Sequence, residues 1–111
     1  MLMLALIVFV AVALGGDIMA IQVFRKRPIP AFLPRAHLIA ATAGLAVLAI
    51  AVFAGDVATA AWIALGIFAA GFAGGYTLFG VVFRGKRPPI WAVAVHGTIG
   101  WAGVVALFLA L

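Results

Sequence analysis

Long apolar stretches alternate with a few short polar breaks along this chain. The apolar runs cover residues of about 1–24, 31–53, 57–83 and 90–111. Each is long enough to cross a bilayer as a helix, which takes about 20 residues. None alternates with the period of two that marks a half-buried strand. The breaks read Arg25-Lys26-Arg27-Pro28-Ile29-Pro30, Gly55-Asp56 and Arg84-Gly85-Lys86-Arg87-Pro88-Pro89. Their prolines suit the start of a following helix, where a missing N–H costs no intrahelical bond. The pattern predicts an all-α fold: a four-helix transmembrane bundle forming one domain over residues 1–111.

The chain also resembles itself. Displaced by 59 positions, residues 60–111 fall on residues 1–52 without a gap. Gly15-Gly16 meets Gly74-Gly75, and Val23-Phe24-Arg25 meets Val82-Phe83-Arg84. Pro30, His37, Gly44 and Leu48 meet Pro89, His96, Gly103 and Leu107. Matches of Ala or Leu carry little weight in so apolar a chain. The paired glycines, the arginine and the histidine carry more. A unit of two spans ends on the side where it began, so the next unit starts in the same orientation. Two tandem helical hairpins are therefore expected, as parallel repeats about a pseudo-two-fold axis along the membrane normal. At about 100° per residue, His37, Gly44, Leu48 and Ala51 share a stripe, as do His96, Gly103, Leu107 and Ala110. Ala5, Phe9, Gly16 and Val23 form another, matched by Ala64, Phe68, Gly75 and Val82. These stripes are predicted to face the bundle interior.

Composition narrows the setting. Hydrophobic residues make up 69% of the 111, more apolar surface than a soluble domain this small can hide. The net charge is +5, yet it does not point to nucleic acid, because all seven basic residues lie in or beside the first and last breaks. That asymmetry places both basic loops in the cytoplasm, with the termini and the Asp56 turn outside, in a bacterial inner membrane. The first 24 residues lack a basic leader region and read as a retained span. Trp62 and Trp91 fall near span ends, where indoles anchor at headgroup level. There is no cysteine, which excludes disulfides and thiolate metal sites.

His37 and His96 are the only histidines. Ionisable side chains within a span are costly and mark functional positions by default. Each follows its unit's proline by seven residues, about 10 Å into the span. Two imidazoles at one depth, on facing stripes, match the axial demand of a six-coordinate b-type haem. His37 and His96 are thus the candidate metal ligands, and haem b the candidate cofactor. Gly15, Gly16, Gly74 and Gly75 on the first and third spans would give way to the flat macrocycle, together with Gly44, Gly100 and Gly103 on the second and fourth. Arg25, Arg35 and Arg84 would pair with its propionates through the bidentate guanidinium. Plainer readings stand beside each of these. Small residues line transmembrane helix contacts without any cofactor, and a membrane histidine can bond a neighbouring helix. Loop arginines follow from topology alone. Two histidines leave a zinc or copper site two ligands short, with no cysteine or glutamate to complete it. Asp17, whose counterpart is Tyr76, is expected to orient an imidazole, to pair with Arg35, or to carry a proton.

The four spans, His37, His96 and their glycines resemble small four-helix membrane b-type cytochromes of the cytochrome b561 kind. The resemblance implies single-electron transfer by a membrane-bound oxidoreductase component. Such proteins usually carry two histidine pairs, one per leaflet. This chain carries one, so a single bis-histidine haem is expected, in the cytoplasmic leaflet. The expected partners are the lipid bilayer and a quinone or redox partner subunit, within a homo- or hetero-oligomer. Two other classes remain open: an accessory subunit of a larger membrane complex, and a small proton-linked transporter using Asp17. With no serine, no cysteine and two acids, hydrolytic catalysis is not expected.

Overall fold

The computed structural model describes all 111 residues. Its helices are α1 (Leu2–Phe24), α2 (Phe32–Ala54), α3 (Thr59–Thr77) and α4 (Ile90–Leu109); a π-helical turn (Leu78–Val82) extends α3. All four are long and apolar enough to cross a membrane. The bundle measures 44 × 23 × 21 Å, and its long dimension matches a bilayer with its headgroups, about 40–45 Å.

The breaks in the apolar pattern end the helices by identifiable chemistry. Past Phe24, the Lys26 N–H donates to the Val23 carbonyl at 3.1 Å and the Arg27 N–H to the Gln22 carbonyl at 2.8 Å. This pair of bonds closes two carbonyls that the last turn leaves free, and it requires a left-handed residue at the turn. Lys26 takes that conformation, with φ 53°. In the second basic loop Gly85 does the same, with φ 71°. Arg87 then reaches back to the first hairpin: its Nη1 donates to the Val23 carbonyl at 3.4 Å. The second basic loop is thereby tied to the end of α1. At the other end, α2 stops at Gly55, which turns to extended backbone.

α1 packs along α2, and α3 along α4; α1 also lies along α4, and α2 makes a slighter contact with α3. Across the diagonals, α1 meets α3 and α2 meets α4. The tightest packing sits at the end away from the basic loops, where Ala5, Phe9, Leu48, Ala64, Phe68 and Leu107 belong to one buried cluster. Phe9 and Phe68 stack with ring centroids 3.6 Å apart and planes 5° from parallel. Glycines make room for them. A Cβ on Gly44 would stand 3.2 Å from the Phe9 ring, and one on Gly103 would stand 2.6 Å from the Phe68 ring.

The π-turn changes one expectation. The Phe83 N–H donates to the Leu78 carbonyl, five residues back, at 2.7 Å. One extra residue in a turn rotates everything beyond it by about 100°. Val82, expected on the interior stripe below Gly75, is consequently 52% exposed, whereas Val23 near the end of α1 is 6% exposed. The remainder of those stripes faces inward as expected: Gly16, His37, Gly75 and His96 are partly covered, as is Ala110 beyond the end of α4, and the others are buried.

Candidate functional site

The two histidines meet across the α2–α4 diagonal, in the half of the bundle nearer the basic loops. Their ring centroids lie 6.2 Å apart, with planes inclined at 65°. The sequence places each ring early in its helix, and the facing helix supplies a glycine for it to rest on. A Cβ on Gly16 of α1 would stand 3.2 Å from Cε1 of His37. A Cβ on Gly75 of α3 would stand 2.5 Å from Cε1 of His96 and 3.1 Å from its Nδ1. Neither imidazole could hold its position against alanine there without displacement.

The surroundings of the two rings differ. His37 has a buried Nδ1 with no hydrogen-bond partner. The main chain of Val12 faces this ring, but no bond of ordinary length and angle forms between them. A buried, unpaired ring nitrogen is costly, on the order of 1–3 kcal/mol. His96 packs edge-on against Phe79, with centroids 5.3 Å apart. Phe79 lies in the π-turn, and its counterpart by the 59-residue displacement is Ala20, so only one imidazole has an aromatic ring at that place. The place of Phe79 four residues past Gly75, on the same face of a regular helix, is the signal in the sequence that points to it.

Of the predicted glycines, Gly16 and Gly75 are brought to the histidines. They seat the imidazoles themselves, a role different from the expected contact with a macrocycle edge. Gly44 and Gly103 seat Phe9 and Phe68 instead, because they lie two turns beyond the histidines. A Cβ on Gly15, Gly74 or Gly100 would meet no atom within 4 Å. Arg25, Arg35 and Arg84 are all exposed at the basic end. The arginine that turns inward is Arg87, through its bond to Val23, and nothing in the sequence separates it from its neighbours. Asp17 bonds neither histidine and does not pair with Arg35. The Trp101 indole N–H of α4 donates to both of its oxygens, at 3.3 and 3.2 Å. Tyr76, its counterpart by the 59-residue displacement, is exposed.

The donor set decides which metal chemistry this pair can support. No group of three or more His, Cys, Asp or Glu side chains gathers anywhere in the chain. A bare zinc ion would lack half of its usual four ligands. Haem brings four in-plane nitrogens of its own and asks the protein for two axial ones. With about 2 Å per metal–nitrogen bond and about 1 Å from each nitrogen to its ring centre, such a pair holds its centroids about 6 Å apart. The observed 6.2 Å fits that demand.

The fold defines a class: a small all-α bundle whose four helices are each apolar enough to cross a membrane, with a facing histidine pair. No protein-family model, curated protein or solved structure matches the chain, so the functional argument rests on the chemistry of the site.

Proposed function

We propose that this is an integral membrane b-type cytochrome that binds one haem between His37 and His96 and passes single electrons. The observation that carries this reading is the 6.2 Å separation of two facing imidazoles. His37 and His96 would hold the haem, which supplies one-electron redox chemistry when bound. Gly16 and Gly75 set the position of the rings. Phe79 excludes lipid from the His96 edge. Arg25, Arg35 and Arg84 are the basic groups available to carboxylates at the cytoplasmic surface. A quinone, or a redox subunit, would be the electron partner.

Two further parts of the reading rest on separate support. The chain is taken as two tandem hairpins, 1–52 and 60–111. This is supported by recurring contacts: Gly16 under His37 and Gly75 under His96, Gly44 under Phe9 and Gly103 under Phe68. The left-handed residues Lys26 and Gly85 also correspond. The topology, with basic loops in the cytoplasm of a bacterial cell and both termini outside, is supported by the confinement of all basic residues to one end.

The test is the absorption spectrum of purified protein, oxidised and reduced. A reduced α-band is expected in the wild type and is expected to vanish in His37→Ala and His96→Ala while helical content stays. A colourless wild-type protein, or a band that survives both substitutions, sinks the proposal. A second reading, an accessory subunit of a larger membrane complex, is favoured by one feature. Gly66, Ala70 and Gly74 form an exposed stripe on α3, and the Cβ positions of both glycines are open. Small residues spaced by four are a common helix-docking surface in lipid. Co-purification of a partner that Gly66→Leu abolishes would support it.

A further inference from the structure

All seven basic side chains gather at one end of the bundle, and all five prolines lie there with them. All but Arg35 fall in the short segments 25–31 and 83–89 between helices, and every one is exposed. The only side-chain hydrogen bond among them is that of Arg87 to the Val23 carbonyl. The two acids lie elsewhere. Asp56 is in the turn at the opposite end, and Asp17 is bonded to Trp101. Like charges crowded on a cross-section of 23 × 21 Å repel one another, since screening acts only beyond about 8 Å at physiological salt. Nothing within the chain relieves that repulsion.

Topology accounts for cations in the loops, but not for Arg35. It stands in the first turn of α2, where free N–H groups carry partial positive charge and a cation is disfavoured. The cap residue Ala31 supplies no side-chain acceptor, and the first turn holds no acid. The second hairpin has Ala94 at the corresponding position. The missing component is an anion. A second feature says which kind. Phe32, the first residue of α2, is 67% exposed, and its counterpart Trp91 in α4 is 59% exposed. Phe24 and Ile90 are exposed beside them. An apolar collar thus lies next to the charges, and the short proline-rich loops hold the two together. A ligand that meets both has an anionic head and an apolar tail.

We infer that the basic end is a binding surface for anionic phospholipid, and that its selective position lies in the first hairpin. There Arg35 takes the phosphate and Phe32 lies along the acyl chains. The planar guanidinium matches a phosphate in shape as well as charge. Basic clusters of this size at a membrane surface collect anionic lipid. The second hairpin has the same aromatic position but no counterpart of Arg35, so it selects less strongly. A nucleic acid or an acidic protein would use the charges and leave the collar unused. The inference stands without the cytochrome reading.

Tryptophan quenching by brominated lipids in nanodiscs tests this. Phosphatidylcholine is the host, and the brominated chains are carried by either phosphatidylglycerol or phosphatidylcholine. Three proteins, each retaining Trp101, place one reporter indole near the start of a different helix. Phe32→Trp combined with Trp62→Phe and Trp91→Phe reports on α2. Trp62→Phe alone reports on α4, and Trp91→Phe alone reports on α3 at the far end. Preference for phosphatidylglycerol is expected to be about fivefold at α2, the factor that one basic group beside an anionic surface supplies. It is expected to be smaller at α4 and absent at α3. Adding Arg35→Gln to the first protein is expected to bring the α2 preference down to the α4 value. Equal preference at all three helices, or an α2 preference that Arg35→Gln leaves unchanged, overturns the inference. Loss of the preference on adding inorganic phosphate, with ionic strength matched by chloride, overturns it in favour of a free anion. Haem content is measured on the same samples. Lipid preference in a protein without haem would end the cytochrome reading and leave the lipid surface; haem without lipid preference would do the reverse.

Discussion

Toward the termini the bundle closes on Phe9 and Phe68; toward the basic loops it closes on His37 and His96. Both closures are diagonal contacts between facing helices, and both rest on glycines, yet they differ in what they leave unmet. The phenylalanine pair stacks at 3.6 Å within a cluster containing no polar side chain. The histidine pair stands 6.2 Å apart and includes a buried nitrogen without a partner. In lipid, helices gain little from hiding apolar groups against one another, because the tails are equally apolar; close contact and dispersion hold them together. The phenylalanine half supplies that contact. The histidine half sacrifices some of it, which is tolerable while the other half stays closed.

Truncating the plug should produce the largest effect. Phe68→Ala removes a stacked ring from a buried cluster and is expected to destabilise the bundle by about 3 kcal/mol, read as the unfolding midpoint in a mixed detergent titration. Reduced-band yield in the fraction that stays folded should be nearly unchanged. If that yield falls in step with stability, the two halves do not act separately. Glycine substitutions under the histidines come next. Gly75→Ala meets His96 at 2.5 Å where Gly16→Ala meets His37 at 3.2 Å, so the first should lose most of its bound pigment and the second only part. Overpacking of this kind also costs about 1–3 kcal/mol, and equal effects from the two variants would contradict the asymmetry described. The smallest effect lies at the loop. Lys26→Gly relieves a left-handed conformation and should stabilise by about 0.5–1 kcal/mol, with the spectrum unaltered. Any loss of stability there would argue against the turn geometry.

Much of this arrangement was legible in the order of residues. The four apolar runs locate the helices, because only uninterrupted apolar length distinguishes a span, and the prolines and Gly55 mark where each must stop. The spacing of Phe9, Gly16, Gly44, Leu48 and His37 is enough to put them inward, since helical periodicity is strict over two or three turns. It fails where periodicity itself fails. Nothing in Leu78-Phe79-Gly80-Val81-Val82 announces a π-turn, so the exposure of Val82 is visible only in three dimensions. The Asp17–Trp101 bond joins residues 84 positions apart. Such a bond depends on how α1 and α4 are rotated about their axes, which the pattern constrains to a face and not to a partner. Of the seven candidate glycines, Gly16, Gly44, Gly75 and Gly103 lie where a Cβ would press on a ring, and Gly15, Gly74 and Gly100 where it would meet open space. Which ring each one admits was decided by depth, and depth separates Gly16 from Gly44 only when the helices are set side by side.

The π-turn has a consequence for how two similar hairpins can come to differ. An inserted position leaves every upstream contact of α3 in place, including Gly75 beneath its imidazole. Downstream, it acts together with differences in sequence, since Phe79, Gly80 and Val81 stand where the first hairpin has Ala20, Ile21 and Gln22. Val81 and Val82 look outward, and the aromatic residue ahead of them turns to the centre. His96 stands beside Phe79 and His37 over Gly16, so the two imidazoles have unlike surroundings.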